Sequence, residues 1–114
     1  MILGTVTVCE DDENNILEIQ CPIHRVILIY NIAFGRSSTD VCPVENISET
    51  DSDNNCYSDQ SWSVGLEKCM GKQSCSLEAS SQEFGDPCPE TKKYLSISYT
   101  CRTSKNNTIF LYEK

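Results

Sequence analysis

The segment Phe84-Gly85-Asp86-Pro87-Cys88-Pro89-Glu90-Thr91-Lys92-Lys93-Tyr94-Leu95 puts a carboxylate, an ammonium, a rigid turn and a half-cystine into one loop. Asp86 can accept hydrogen bonds and Lys93 can donate them, while Pro87 fixes the backbone and a disulfide through Cys88 would hold the loop still. Preorganised polar groups on a stapled loop suit the recognition of a hydroxylated ligand. Other chemistry has less behind it. The chain has a single histidine, His24 in a turn, and no Gly-x-Ser-x-Gly elbow for a serine hydrolase. Asp51-Ser52-Asp53-Asn54-Asn55 opens like a calcium loop, but Cys56 stands where Gly is needed and Trp62 where the terminal Glu should be. No metal, cofactor or catalysis is expected.

Eight cysteines (Cys9, Cys21, Cys42, Cys56, Cys69, Cys75, Cys88, Cys101) are spread along the chain with no C-x-x-C pair. Zinc ribbons and redox dithiols need close pairs, so disulfides are the reading, in an oxidising compartment: a secreted protein or the extracellular domain of a membrane protein. Spacing leaves about a hundred pairings open, although Cys69 and Cys75 are close enough for a small local ring. A length of 114 residues bounds the chain to one domain. Seventeen acidic residues against nine Lys and Arg give a net charge of -8 with no basic stripe, which argues against nucleic acid or an anionic membrane as partner. No apolar run is long enough to span a bilayer. Met1 to Val8 has no basic start and is too short for a signal peptide, so a removed leader is expected. Asn46-Ile47-Ser48 and Asn106-Asn107-Thr108 make Asn46 and Asn106 candidate glycosylation sites.

The elements that must position the loop follow from local pattern. Ile2 to Val8 is β-branched and reads as a strand, and the acidic run from Glu10 to Asn15 is a surface loop. Ile16 to Cys21 alternates as a half-buried strand. The turn Pro22-Ile23-His24-Arg25 leads to a continuous apolar strand, Val26 to Tyr30, and together they suggest a hairpin. Ser37 to Tyr57 is a long polar loop. Ser58 or Asp59 could cap a helix reaching about Cys69, with Trp62, Leu66 and Cys69 lining its inner face, and Met70-Gly71-Lys72 ends it. Ser76 to Ser80 suggests a short strand and Tyr94 to Cys101 a clear one; Thr108 to Tyr112 is an edge strand or tail. The fold class is therefore α+β: a small disulfide-rich domain with antiparallel sheet or sandwich, one main helix and long pinned loops.

The order of these pieces resembles the galactose- and rhamnose-binding lectin domain of sea-urchin egg lectin, also found in fish egg lectins and latrophilins. The resemblance runs from Val8 to Cys101. It rests on Cys9-Glu10 after a strand, Cys21 before an apolar strand, Ala33-Phe34-Gly35-Arg36 and Asp40-Val41-Cys42. It continues through Lys68-Cys69-Met70-Gly71-Lys72-Gln73-Ser74-Cys75, Phe84-Gly85-Asp86-Pro87-Cys88, Lys93-Tyr94-Leu95 and Tyr99-Thr100-Cys101. It implies a lectin-like domain over residues 1–101 with 102–114 as tail or edge strand, and disulfides Cys9 to Cys42, Cys21 to Cys101, Cys56 to Cys88 and Cys69 to Cys75.

The function implied is binding of a terminal galactose- or rhamnose-like sugar, on cell-surface or secreted glycans. Carried over by position, Glu10, Asp86 and Lys93 would hydrogen-bond the hydroxyls; Phe34 and Glu90 complete the sugar-binding set. A carboxylate can accept from two neighbouring hydroxyls, and charge-assisted bonds are about twice as strong as neutral ones. Gly35, Arg36 and Pro87 are read as loop supports, Arg36 through backbone carbonyls or a carboxylate. Phe34 is either a core plug or a platform for an apolar sugar face, and Asp86 either a turn residue or a ligand. This chain has Ala33-Phe34 where the family shows Asn-Tyr, and Glu90 where the family loop has Gly. Those departures favour an alternative, an extracellular protein-interaction module that has lost sugar binding and meets a protein receptor.

Overall fold

The computed structural model describes residues 3–36, 42, 56–89 and 91–103. Its elements are β1 (Leu3–Cys9), β2 (Ile16–Gln20), β3 (Arg25–Arg36), β4 (Cys56–Tyr57), α1 (Ser61–Lys68), β5 (Ser74–Glu78), α2 (Ser81–Phe84) and β6 (Tyr94–Thr103). All strand pairs are antiparallel. One sheet has the order β1-β6-β3-β4, and a second pairs β2 with β5. The α+β class with one main helix holds.

The expected hairpin does not form. β2 and β3 follow each other in sequence but belong to different sheets, and the turn between them is closed by Arg25 N–H to the Pro22 carbonyl at 3.0 Å with His24 at φ 70°. The reason lies in the partners. β2 buries Leu17 and Ile19 and pairs with β5, whose Leu77 is buried as well; β3 finds the longer strand β6. A single core cluster then joins the two sheets, with Ile27, Ile29, Ile32 and Phe34 of β3 and Leu95 and Ile97 of β6 facing Leu17, Ile19 and Leu77.

β3 carries a bulge. Its register against β6 shifts between Ile29 and Asn31, so Tyr30 and Asn31 are exposed in succession and the alternation changes phase. Ile27 and Ile29 point inward before the bulge, Ile32, Phe34 and Arg36 after it. An extra residue in one strand does this because side chains alternate strictly with period two.

The helix also sits differently from its pattern. It starts at Ser61 with Gln60 at the N-cap, and its inner face is Ser61, Gly65 and then Cys69, while Trp62 is 45% exposed. Close packing over β3 requires this: a Cβ on Gly65 would lie 3.0 Å from Ile32 Cδ1 and 3.2 Å from Ile29 Cδ1. A tryptophan could not occupy that gap. Ser58, expected as a cap, instead accepts from Gln60 N–H and donates to the Phe84 carbonyl. α2 has its own cap, Ser80, which accepts from Glu83 N–H at 3.2 Å.

Four disulfides staple these elements: Cys9–Cys42, Cys21–Cys101, Cys56–Cys88 and Cys69–Cys75. Cys21–Cys101 closes the longest span, 80 residues, and in the chain-entropy picture removes about 4.5 kcal/mol of unfolded-state freedom. Thr108 to Tyr112, read from the sequence as an edge strand or tail, lies outside the described residues.

Candidate functional site

The site forms where β1 ends and β6 begins. Their register sets Cys9 opposite Tyr94, so Glu10 and Lys93 come next beyond the two strands. Glu10 N–H donates to the Lys93 carbonyl at 2.8 Å, and Lys93 N–H donates to Glu10 Oε1 at 3.0 Å. Two segments 83 residues apart are thus tied main chain to main chain and side chain to main chain.

The Lys93 side chain is only 3% exposed. Its ammonium donates to the Thr91 carbonyl at 2.7 Å and the Cys88 carbonyl at 3.2 Å, and lies 3.0 Å from Asp86 Oδ1 and 3.5 Å from Glu10 Oε1. An ammonium has three protons. All three have partners inside the protein, so Lys93 offers none to an incoming hydroxyl in this arrangement; it draws two carboxylates together instead. Asp86 is 40% exposed and Glu10 27%. Each commits one oxygen to Lys93, and the second oxygen of each has no partner among the described residues.

Arg36 supports the site from beneath. Brought inward by the bulge in β3, it is fully buried, donates through Nε to the Lys92 carbonyl at 2.6 Å and through Nη2 to the Cys42 carbonyl at 2.6 Å, and lies 5.4 Å from the Tyr94 ring centroid. Gly35 is required for close approach, since a Cβ there would meet the Cys56 carbonyl oxygen at 1.9 Å. Cys56–Cys88 ties β4 to the 86–93 loop, and Cys9–Cys42 ties the end of β1 to the residue that Arg36 holds. Pro87 lines a cleft beside Asp86.

The acidic loop is also engaged. Asp11 pairs with Lys92 at 2.8 Å, and Asp12 accepts from Cys9 N–H at 3.2 Å. Cys9, Asp11 and Asp12 bring three potential ligand atoms together, but the Cys9 sulfur is already bonded to Cys42 and supplies no thiolate.

Phe34 corrects the platform reading. It is fully buried and stacks on Phe84, with ring centroids 5.1 Å apart and planes at 22°, so neither face can meet a sugar. Its N–H donates to Ser61 Oγ and its carbonyl accepts from Ser58 N–H, which fixes α1 to β3. Glu90, Asn46 and Asn106 lie outside the described residues. Sequence reasoning missed Thr91, Lys92 and Tyr94 as parts of the site. Two act through backbone carbonyls, which every residue possesses, so no residue type signals them.

Residues 19–101 match the D-galactoside/L-rhamnose binding SUEL lectin domain family. The chain is 43% identical over 94 residues to a D-galactoside-specific lectin of Heliocidaris crassispina, covering 82% of this chain and 86% of that lectin. It is 41% identical over 90 residues to the L-rhamnose-binding lectin ELEL-1 of Echinometra lucunter, covering 78% of this chain and 84% of that protein. It is also 31% identical over 90 residues to the adhesion G protein-coupled receptor L1 of Homo sapiens, a match to 75% of this chain and 6% of the receptor. The family match spans most of the described strands and the whole 86–93 loop, and the chain belongs to the SUEL lectin domain family.

Proposed function

We propose that this lectin domain binds a terminal galactose- or rhamnose-like sugar, without catalysis, through Glu10 and Asp86. One observation carries the reading: two partly exposed carboxylates share one buried ammonium, and each keeps an oxygen with no partner among the described residues. Neighbouring hydroxyls of a pyranose can donate to such a pair, and the fixed spacing discriminates one hydroxyl arrangement from another. Lys93 serves by holding the acceptors in place. The binding unit is the domain of residues 1–101, whose last strand, β6, runs on through Thr103, and its setting is extracellular, as a secreted protein or an ectodomain presented to cell-surface or secreted glycans. The net charge of -8 disfavours nucleic acid, and among the described residues no helix is long and apolar enough to cross a membrane.

A single shallow site binds weakly, on the order of 1 mM. Titration of the domain with galactose and with rhamnose, followed by amide shifts in NMR, should move Glu10, Asp86 and Lys93, and Asp86→Ala should abolish the change. Silence at sugar concentrations well beyond the millimolar scale would refute the reading. It would favour a protein-interaction role on the same fold, for which the burial of Phe34 speaks, since the carboxylate pair has no aromatic wall from that side.

A further inference from the structure

A cleft adjoins the carboxylate pair. It lies between 57–60 and 84–87 with a volume of about 390 Å³, and Asp86 belongs to both: its Oδ1 faces Lys93 while the residue lines the cleft. The two walls are fixed to each other by Cys56–Cys88 at one end and by Ser58 Oγ donating to the Phe84 carbonyl at the floor. Gly85, at φ 84°, makes the turn that brings Asp86 to the rim.

Three side chains at this cleft, Tyr57, Asp59 and Gln60, are uncommitted among the described residues. Tyr57 is 46% exposed, and its ring and hydroxyl have no partner among the described residues. Asp59 and Gln60 are exposed, with a carboxylate and a side-chain amide likewise without hydrogen-bond partners there. Along β4, Tyr57 is held by pairing with Gly35, so its backbone is rigid although its ring is bare. A second hollow of about 380 Å³, lined by Asn31, Ala33 and Ser61 among others, lies against Tyr57 as well. An aromatic face beside an amide and two carboxylates, in a preformed polar cleft, matches the alternating apolar and hydroxyl-bearing surfaces of a pyranose ring.

We propose that the cleft is a subsite for the sugar that follows the terminal residue, with Tyr57 stacking on its ring and Gln60 and Asp59 bonding its hydroxyls. The inference rests on the sugar-binding reading above and deepens it: the ligand class becomes a disaccharide or longer glycan, read across Asp86. Ser58, buried and engaged, contributes only structure.

The test compares methyl galactoside and methyl rhamnoside with a panel of galactose- and rhamnose-terminated disaccharides in several linkages, by calorimetry or NMR titration. At least one disaccharide should bind about tenfold more tightly than its methyl glycoside, the scale of one stacked ring and its hydrogen bonds. Tyr57→Ala should bring the disaccharide-to-monosaccharide ratio close to one, and Tyr57→Phe should restore most of it; amide spectra verify that both variants are folded. If the glycosides bind but no disaccharide gains, or if Tyr57→Ala leaves the ratio intact, the subsite is refuted and the terminal-sugar reading stands. If no glycoside and no disaccharide binds, both readings fall.

Discussion

The loop end of the main sheet and the outer face of the helices both carry cations paired with carboxylates, but they use them in opposite ways. At the loop end Arg36 and Lys93 are buried and donate to backbone carbonyls, Arg36 to those of 42 and 92 and Lys93 to those of 88 and 91. On the helix face Lys68, its side chain 46% exposed, joins α1 to the half-buried Glu83 of α2 at 2.6 Å. Buried cations must be fully partnered, because an unpaired charge in a low dielectric is costly; an exposed pair competes with water and adds little. The described loop residues at the first site carry only a few backbone hydrogen bonds, such as Thr91 N–H to the Cys88 carbonyl. Four of their backbone carbonyls accept from the Arg36 and Lys93 side chains, which makes those side chains the frame of the loop.

Arg36→Met and Lys93→Met should therefore have the largest effects, each lowering unfolding free energy by about 3 kcal/mol in chemical denaturation, through the stranded carbonyls of Cys42 and Lys92 for Arg36, and through that of Thr91 and the lost counter-charge of Glu10 and Asp86 for Lys93. Lys93→Met should also end sugar binding where the protein remains folded, because Glu10 and Asp86 then repel each other. A stability loss well under 1 kcal/mol in both would mean that the loops are held by their disulfides alone.

The same rule runs in reverse at Thr100, a buried residue whose Oγ1 has no partner among the described residues. Thr100→Val keeps the shape and removes the unsatisfied hydroxyl, so it should stabilise the fold by about 1 kcal/mol in the same assay. A clear loss would show that the hydroxyl is satisfied after all.

Lys68→Ala should leave the denaturation midpoint close to that of the parent, since the lysine end of the pair is exposed and Glu83 keeps its hydrogen bond from Glu78 N–H. Smaller still is its pH signature. Burial pushes the Glu83 carboxyl up, but the hydrogen bond from Lys68, a further one from Glu78 N–H and the ammonium's charge together hold it below the ordinary carboxylate range. Its contribution is present above the unfolded carboxylate pKa and fades as pH falls through the lower folded value. The hydrogen bond to Glu83, then its charge, raises the Lys68 ammonium, so that contribution is present below the ordinary lysine range and fades as pH rises through the higher folded value. Melting temperatures of the parent and Glu83→Gln should converge at low pH; a constant gap would place the effect in packing instead.

Much of the fold was legible in short-range pattern. The alternation in 16–21 and 94–101 marked β2 and β6, and Met70-Gly71-Lys72 marked the end of α1, where Gly71 takes φ 80°. Trp62 misled because helical spacing gives a stripe without saying how near the neighbouring sheet will come. Gly65 set that distance, and the small residues faced inward. The 86–93 loop announced itself as polar and rigid, but whether Lys93 would face ligand or protein depended on carbonyls that residue types do not encode.

Sequence by itself determined the family frame, the oxidising setting implied by eight cysteines and the presence of acceptors at Glu10 and Asp86, because these depend on residue chemistry and spacing along the chain. Tertiary structure decided which side chains face which way. One bulge at Tyr30 and Asn31 shifts the phase of β3 and turns both Phe34 and Arg36 into the core, whereas an unbroken alternation from Ile27 and Ile29 would have put Phe34 outside. A period of two is local; where it slips is chosen by the strand it pairs with and the ring of Phe84 waiting across the core.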